Sequence, residues 1–132
     1  MRKFLAVILA AMIFIPAFAA QAAMVRLPSF IALDRQNIRL SSNGTFYWCE
    51  DDDEGMGYFY AEKYAQLLQR RGDFRLIDRH TDDYDNEYWL FKYTGTQNIE
   101  SDNWGEGWCN VEIDADEDTV TFYFSDGIEM ED

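Results

Sequence analysis

One amphipathic stretch, residues 56–71, constrains the fold of this chain more than any other feature of its sequence. Its apolar side chains recur at the spacing of one helical face: Tyr60, Ala61, Tyr64, Ala65, Leu67 and Leu68. Gly72 follows directly, and glycine commonly ends a helix because it adopts positive φ without steric cost. The sequence therefore predicts a single helix that must bury one face against other elements.

The segments around this helix alternate with the period of a strand. Residues 36–40 and 45–49 flank Asn43-Gly44, a pair typical of a tight hairpin turn. Further strands are predicted at 74–79, 86–93, 108–114 and 119–124, with a polar loop at 94–107. Residues 23–28 and 127–132 show neither period, so we expect a loose leader and a frayed tail.

These elements predict an α+β fold in which one helix packs on an antiparallel sheet of about four to six strands. The order of hairpin, helix and four strands resembles a cystatin-like arrangement. The resemblance is confined to topology and no family motif accompanies it, so it implies a fold and no function.

The N-terminus has the three parts of a secretory signal peptide. Arg2 and Lys3 precede the apolar run 4–15, and small residues follow Pro16. We expect cleavage before Ala23, with cleavage before Ala20 as the alternative, which leaves one acidic domain at residues 23–132. The apolar run is shorter than a spanning helix requires, so no membrane anchor is predicted. The mature domain is expected to be periplasmic or secreted.

Charge and cysteine content fit an exported protein. The whole chain has a formal net charge of −14, and loss of Arg2 and Lys3 with the signal peptide would make it −16. Such a charge repels nucleic acid and favours cations or basic partners. The two cysteines, Cys49 and Cys109, form an even pair, and in an oxidising compartment such a pair predicts a disulfide.

Acidic residues are concentrated in three segments. The first precedes the predicted helix, where carboxylates complement the helix dipole, and it is also a candidate surface for a basic partner. The second joins two predicted strands, and loops of like charge favour a cationic partner. The candidate partner-binding residues are Asp51, Asp52, Asp53, Glu54, Asp82, Asp83 and Asp85. The third segment, residues 114–118, is expected to be a solvated hairpin turn.

Other candidate sites are less specific. The run 50–61 resembles a calcium-binding loop in its alternate acids, but its last position is Ala61 instead of glutamate, so no metal or cofactor is predicted. Trp104 is a candidate contact for a partner or a glycan, whereas Trp108 is expected to pack in the core beside Cys109. His80 is the only histidine and no nucleophile motif accompanies it, so no catalytic residue is assigned.

The sequence thus favours a small exported binding protein and not an enzyme. Our leading hypothesis is an inhibitor or immunity protein that docks on a basic hydrolase or toxin. One alternative is a calcium- or glycan-binding module. A second alternative is a carboxylate-based hydrolase, which requires two acids that face one pocket.

Overall fold

The computed structural model describes residues 24–48, 56–103 and 107–131. Within them the α+β architecture is confirmed: helix α1, Met56–Arg71, packs on one face of a six-stranded antiparallel sheet. A 3-10 helix, Phe30–Leu33, precedes that sheet. The strands are β1 Val25–Leu27, β2 Ile38–Leu40, β3 Thr45–Trp48, β4 Phe74–Thr81, β5 Glu87–Tyr93, β6 Asp102–Asn103, β7 Trp108–Cys109, β8 Val111–Ala115, β9 Thr119–Phe124 and β10 Ile128–Met130.

The large sheet has the order β2-β3-β9-β8-β5-β4. Strand β3 precedes the helix in the chain and lies between β2 and β9. Strand β4 follows the helix and forms the far edge of the sheet, beside β5. The helix therefore crosses the sheet, and it contacts β4, β8 and β9. The cystatin-like resemblance remains one of chain order.

The core lies between the helix and the face of the sheet that it covers. Val111 and Ile113 of β8 are fully buried in this core, as predicted, although Glu112 between them is buried as well. The ring of Trp89 on β5 is buried beside them, and Tyr64 and Leu68 project from the helix. Each such apolar side chain contributes about 1.5–3 kcal/mol on burial.

The terminal segments are ordered, and the expectation of a loose leader and a frayed tail is wrong. Strand β1 pairs in parallel with β10, with Val25 opposite Ile128 and Leu27 opposite Met130. Val25, Leu27 and Ile128 are all buried. Neither strand shows a pattern of its own because each is three residues long and satisfies its backbone only through the other.

The strand register bears on the two cysteines. Cys49 lies outside the described residues, and Trp48, which precedes it in the chain, ends β3 beside the β8–β9 turn. Cys109 is buried two residues before β8 begins, whereas the β8–β9 turn follows Ala115, where β8 ends. At about 3.3 Å per residue of extended chain, Cys109 lies about 20 Å from Ala115. A disulfide requires Cα atoms within about 7 Å. The register therefore gives no support to the predicted bond within one chain.

Without added reductant, we expect iodoacetamide to alkylate Cys109 after unfolding but not in the native protein. Burial raises the pKa of the Cys109 thiol to about 12, so the native sulfur stays protonated and unreactive. Mass spectrometry of the peptide that contains Cys109 measures this, with Cys49→Ser as the matched control. A disulfide is demonstrated instead if unfolding exposes the thiol only in the control.

Candidate functional site

Two acidic turns meet at one end of the large sheet. Residues 82–86 lead into β5 and residues 116–118 leave β8, and Glu87 pairs with Ala115 where these two neighbouring strands begin and end. Together with Tyr58 these turns form what we call the acidic end. A cleft of about 350 Å³ lies between them, lined by Tyr58, Tyr84, Asp85, Asp116, Glu117 and Asp118. No cationic side chain of the described residues lines it.

The start of the helix holds the acidic end together. The backbone N–H of Gly57 donates to the carbonyl of Glu117 at 3.0 Å. A Cβ at Gly57 would overlap the carbonyl oxygen of Asp116, so only glycine permits this approach. On the other side, the Tyr58 hydroxyl donates to the carbonyl of Asp85 at 2.8 Å. The helix thus connects both turns.

Asp82 organises the first turn from within. Its carboxylate accepts hydrogen bonds from the backbone N–H groups of Tyr84 and Asn86 and from the side chains of Asn86 and Tyr88. Burial opposes the charge of Asp82, but these bonds outweigh it and lower the pKa of the carboxyl to about 2. Asp82 therefore shapes the surface on which the neighbouring acids lie.

Asp116 has the same role in the second turn. Its Oδ1 accepts hydrogen bonds from the backbone N–H groups of Asp118 and Thr119 and from the Thr119 hydroxyl. The outward-facing carboxylates are those that do not build a turn. They are Asp83, Asp85, Glu117 and Asp118, and all four residues are exposed.

The acidic end carries a strong negative potential. Burial raises the pKa of Tyr58, and the charges of Glu117 and Asp85 raise it further. Asp85 adopts a φ of 65°, a left-handed conformation that aspartate tolerates better than most residues. The turn holds its acids close together although they repel one another. A bound cation would relieve this repulsion, so the close spacing favours cation binding.

Tyr84 is an exposed aromatic residue that lines the cleft. Its side chain is 85% exposed, the highest value among the large hydrophobic residues that the structure describes. The backbone N–H of Tyr84 donates to Asp82 at 2.8 Å, so the ring is presented from a fixed turn. An exposed aromatic ring on an ordered acidic loop is typical of a protein-binding surface.

The structure places the predicted site residues unevenly. Asp82, Asp83 and Asp85 lie together at the acidic end, whereas Asp51, Asp52, Asp53, Glu54 and Trp104 lie outside the described residues, as does the predicted signal peptide. The sequence pattern did not indicate Tyr58 or Tyr84, nor that the turn at residues 116–118 belongs to the same surface. The pairing of β5 with β8 is what brings these turns together.

Trp108 corrects a second expectation. It was expected in the core beside Cys109, but its side chain is 63% exposed. Strand β7 pairs only with the short β6 in a two-stranded sheet, so alternation buries Cys109 and turns Trp108 outward. Of the two tryptophan side chains that the structure describes, Trp89 is the one buried in the core.

His80 lies on β4 and has structural partners. Its Nδ1 is 2.7 Å from Asp78 and its ring stacks on Tyr88 at 4.8 Å between centroids. In the described part of the chain, no three His, Cys, Asp or Glu residues are grouped so as to hold a metal ion. Among these same residues no helix is long and apolar enough to cross a membrane.

No protein-family model, curated protein or solved structure matches this chain.

We expect replacement of Asp82 by asparagine to lower the melting temperature near neutral pH and to have little effect near pH 2. The carboxyl titrates at about 2 in the folded protein and at about 3.9 when unfolded. Its charge therefore stabilises the fold above about pH 4, and this contribution is lost as the pH falls through 2.

Thermal melts of the wild type and of Asp82→Asn between pH 2 and 7 measure the difference. Asp83→Asn is the matched control because its carboxyl is exposed and builds no turn. A destabilisation by Asp82→Asn that is the same at every pH would contradict the assignment.

Proposed function

We propose that this protein is a small exported binding protein whose acidic end docks on a basic macromolecule. An inhibitor or immunity protein against a cationic hydrolase or toxin is the function that this surface fits best. The proposal assigns no catalytic step to the chain. It places the mature domain in the periplasm or outside the cell, in agreement with the signal-peptide pattern at the N-terminus.

The observation that carries the proposal is the convergence of exposed carboxylates beside one exposed aromatic ring. Asp83 and Asp85 flank Tyr84 in one turn, Glu117 and Asp118 line the cleft opposite in the other, and the helix start holds both turns. Clustered negative charges speed association with a positive surface. An exposed tyrosine beside them supplies affinity once the partner is bound. Because both turns are ordered by internal hydrogen bonds, little conformational entropy is lost on binding.

Neutralising the acidic end should weaken capture of basic proteins. We expect a bait with Asp83→Asn, Glu117→Gln and Asp118→Asn to lose the basic partner that the wild type retains from the exported proteins of the source cells. With the purified partner, the association rate should fall about tenfold at low salt and the difference should shrink as salt rises.

A matched bait separates this local effect from the total charge. The control bait also loses three negative charges, but from exposed positions outside the acidic end: Glu100→Gln, Asp102→Asn and Asp126→Asn. This control should associate at the wild-type rate. Equal losses for both baits, or capture of acidic partners only, would refute docking through the acidic end.

Replacement of Tyr84 by alanine should weaken partner binding by about thirtyfold without changing the melting temperature, because a central aromatic anchor contributes about 2 kcal/mol and this ring is exposed. Calorimetry of the complex and thermal melts measure the two effects. Trp108→Ala is the matched control, since it removes an exposed aromatic ring elsewhere. Tyr84 has no anchoring role if both variants bind like the wild type.

The exposure of Trp108 favours a second candidate, a glycan-binding module. Exposed tryptophan faces stack on apolar faces of sugars, and Trp108 belongs to the small β6–β7 sheet outside the main core. The same Trp108→Ala variant discriminates between the candidates. Under the glycan hypothesis it abolishes binding to wall oligosaccharides, whereas Tyr84→Ala does not.

A further inference from the structure

We propose a second binding site, distant from the acidic end, that takes a cationic amphiphile: an alkyl or aromatic body that carries an ammonium or guanidinium group. The site is a groove between the β2–β3 hairpin and the last strand of the chain. Its lining residues are Ser29, Ile31, Leu40, Gly44, Phe46, Phe122, Phe124, Met130 and Glu131.

The two walls of the groove are the β2–β3 hairpin and strand β10. Leu40 and Phe46 belong to the hairpin, whereas Met130 ends β10 on the other side. Phe122 and Phe124 form the floor and stack with centroids 6.0 Å apart. The groove has a volume of about 560 Å³, which is within the range of small-molecule sites.

The groove lies beside the part of the sheet that the helix covers, because Tyr64 of the helix packs on Phe122 with ring centroids 5.1 Å apart. Phe30 of the 3-10 helix packs on Phe46 and Phe122, with centroids 4.8 and 5.1 Å apart, and closes the groove on one side only. Phe122 and Phe124 remain partly exposed, and Leu40 is 49% exposed. A ligand that covered these side chains would remove apolar surface from water.

Glu131 gives the groove its charge preference. Within the described residues no ion pair engages its carboxylate, and the nearby Arg26 instead pairs with Glu129 at 3.1 Å. The backbone N–H of Glu131 donates to the carbonyl of Leu27 at 2.8 Å, which fixes its position at the groove. Among the described residues that line this apolar groove, the only charged one is therefore an acid.

These features select one class of ligand. A net charge of −14 repels fatty acids and other anionic amphiphiles, and Glu131 adds a local repulsion. An amine or guanidinium group would instead pair with Glu131 while its apolar body lies on the phenylalanine floor, where a cation also interacts favourably with ring faces. The acidic end lies at the other end of the sheet, so this site does not depend on the proposed docking function.

Three ligands that differ only in the head group test the proposal. They are 4-phenylbutylammonium, 4-phenylbutanol and 5-phenylpentanoate, which share the same four-methylene chain, each titrated into the full mature protein and followed by calorimetry and by NMR. We expect saturable binding of one molecule in the order ammonium, alcohol, carboxylate. The shifted methyl resonances should be those of Ile31, Leu40 and Met130, which line the groove.

Variants of Glu131 test the charge. Glu131→Gln should lower the affinity for the ammonium ligand about two- to fivefold, as expected for a partly exposed ion pair, and leave the alcohol unchanged. Glu131→Lys should reverse the order so that the carboxylate binds best. Asp126→Asn is the matched control, because it removes an exposed acid that does not line the groove.

A variant that fills the groove, Leu40→Trp, should abolish binding of all three ligands while the melting temperature shows that the fold is kept. The proposal is overturned by any of four results. These are no saturable binding of the ammonium ligand, equal binding of the ammonium and carboxylate ligands, shifts outside the groove, or a dimer in sedimentation that protects the groove residues.

Discussion

The pairing of β5 with β8 at the centre of the large sheet is the contact on which the rest of the structure depends. Its register places Trp89 opposite Ile113 and Phe91 opposite Val111, and all four side chains are buried against the helix layer. The same register fixes where the turns before β5 and after β8 lie. One set of backbone hydrogen bonds therefore specifies both the core and the acidic end.

The acidic end concentrates like charges, and the fold compensates for their repulsion locally. Asp82 and Asp116 each accept several hydrogen bonds from their own turn, so their charges stabilise the backbone. Gly57 and Tyr58 then attach the helix start to both turns. The remaining carboxylates face solvent on a fixed frame, and this order would reduce the entropy lost in the proposed docking on a cationic partner.

The acidic end and the apolar groove lie toward opposite ends of β9, and the helix crosses the sheet in its connection from β3 to β4. The helix begins at the β8–β9 turn, where Gly57 contacts Glu117. Tyr64 of the helix and Phe30 of the 3-10 helix pack on Phe122, toward the far end of β9, and Phe122 and Phe124 stay partly exposed to the groove. The position of one helix thus determines both surfaces.

The local patterns in the sequence determined the helix Met56–Arg71, its stop at Gly72 and the principal strands, because these follow from side-chain periodicity within one segment. Only the tertiary structure decided which strands are neighbours. Strand pairing places β1 beside β10 and leaves Trp108 exposed. It also separates Cys109 from the end of β3 and brings the turn at residues 116–118 close to the turn that contains Asp83 and Tyr84. Each of these outcomes depends on pairing between residues far apart in the chain, and the periodicity of one strand carries no information about its partner.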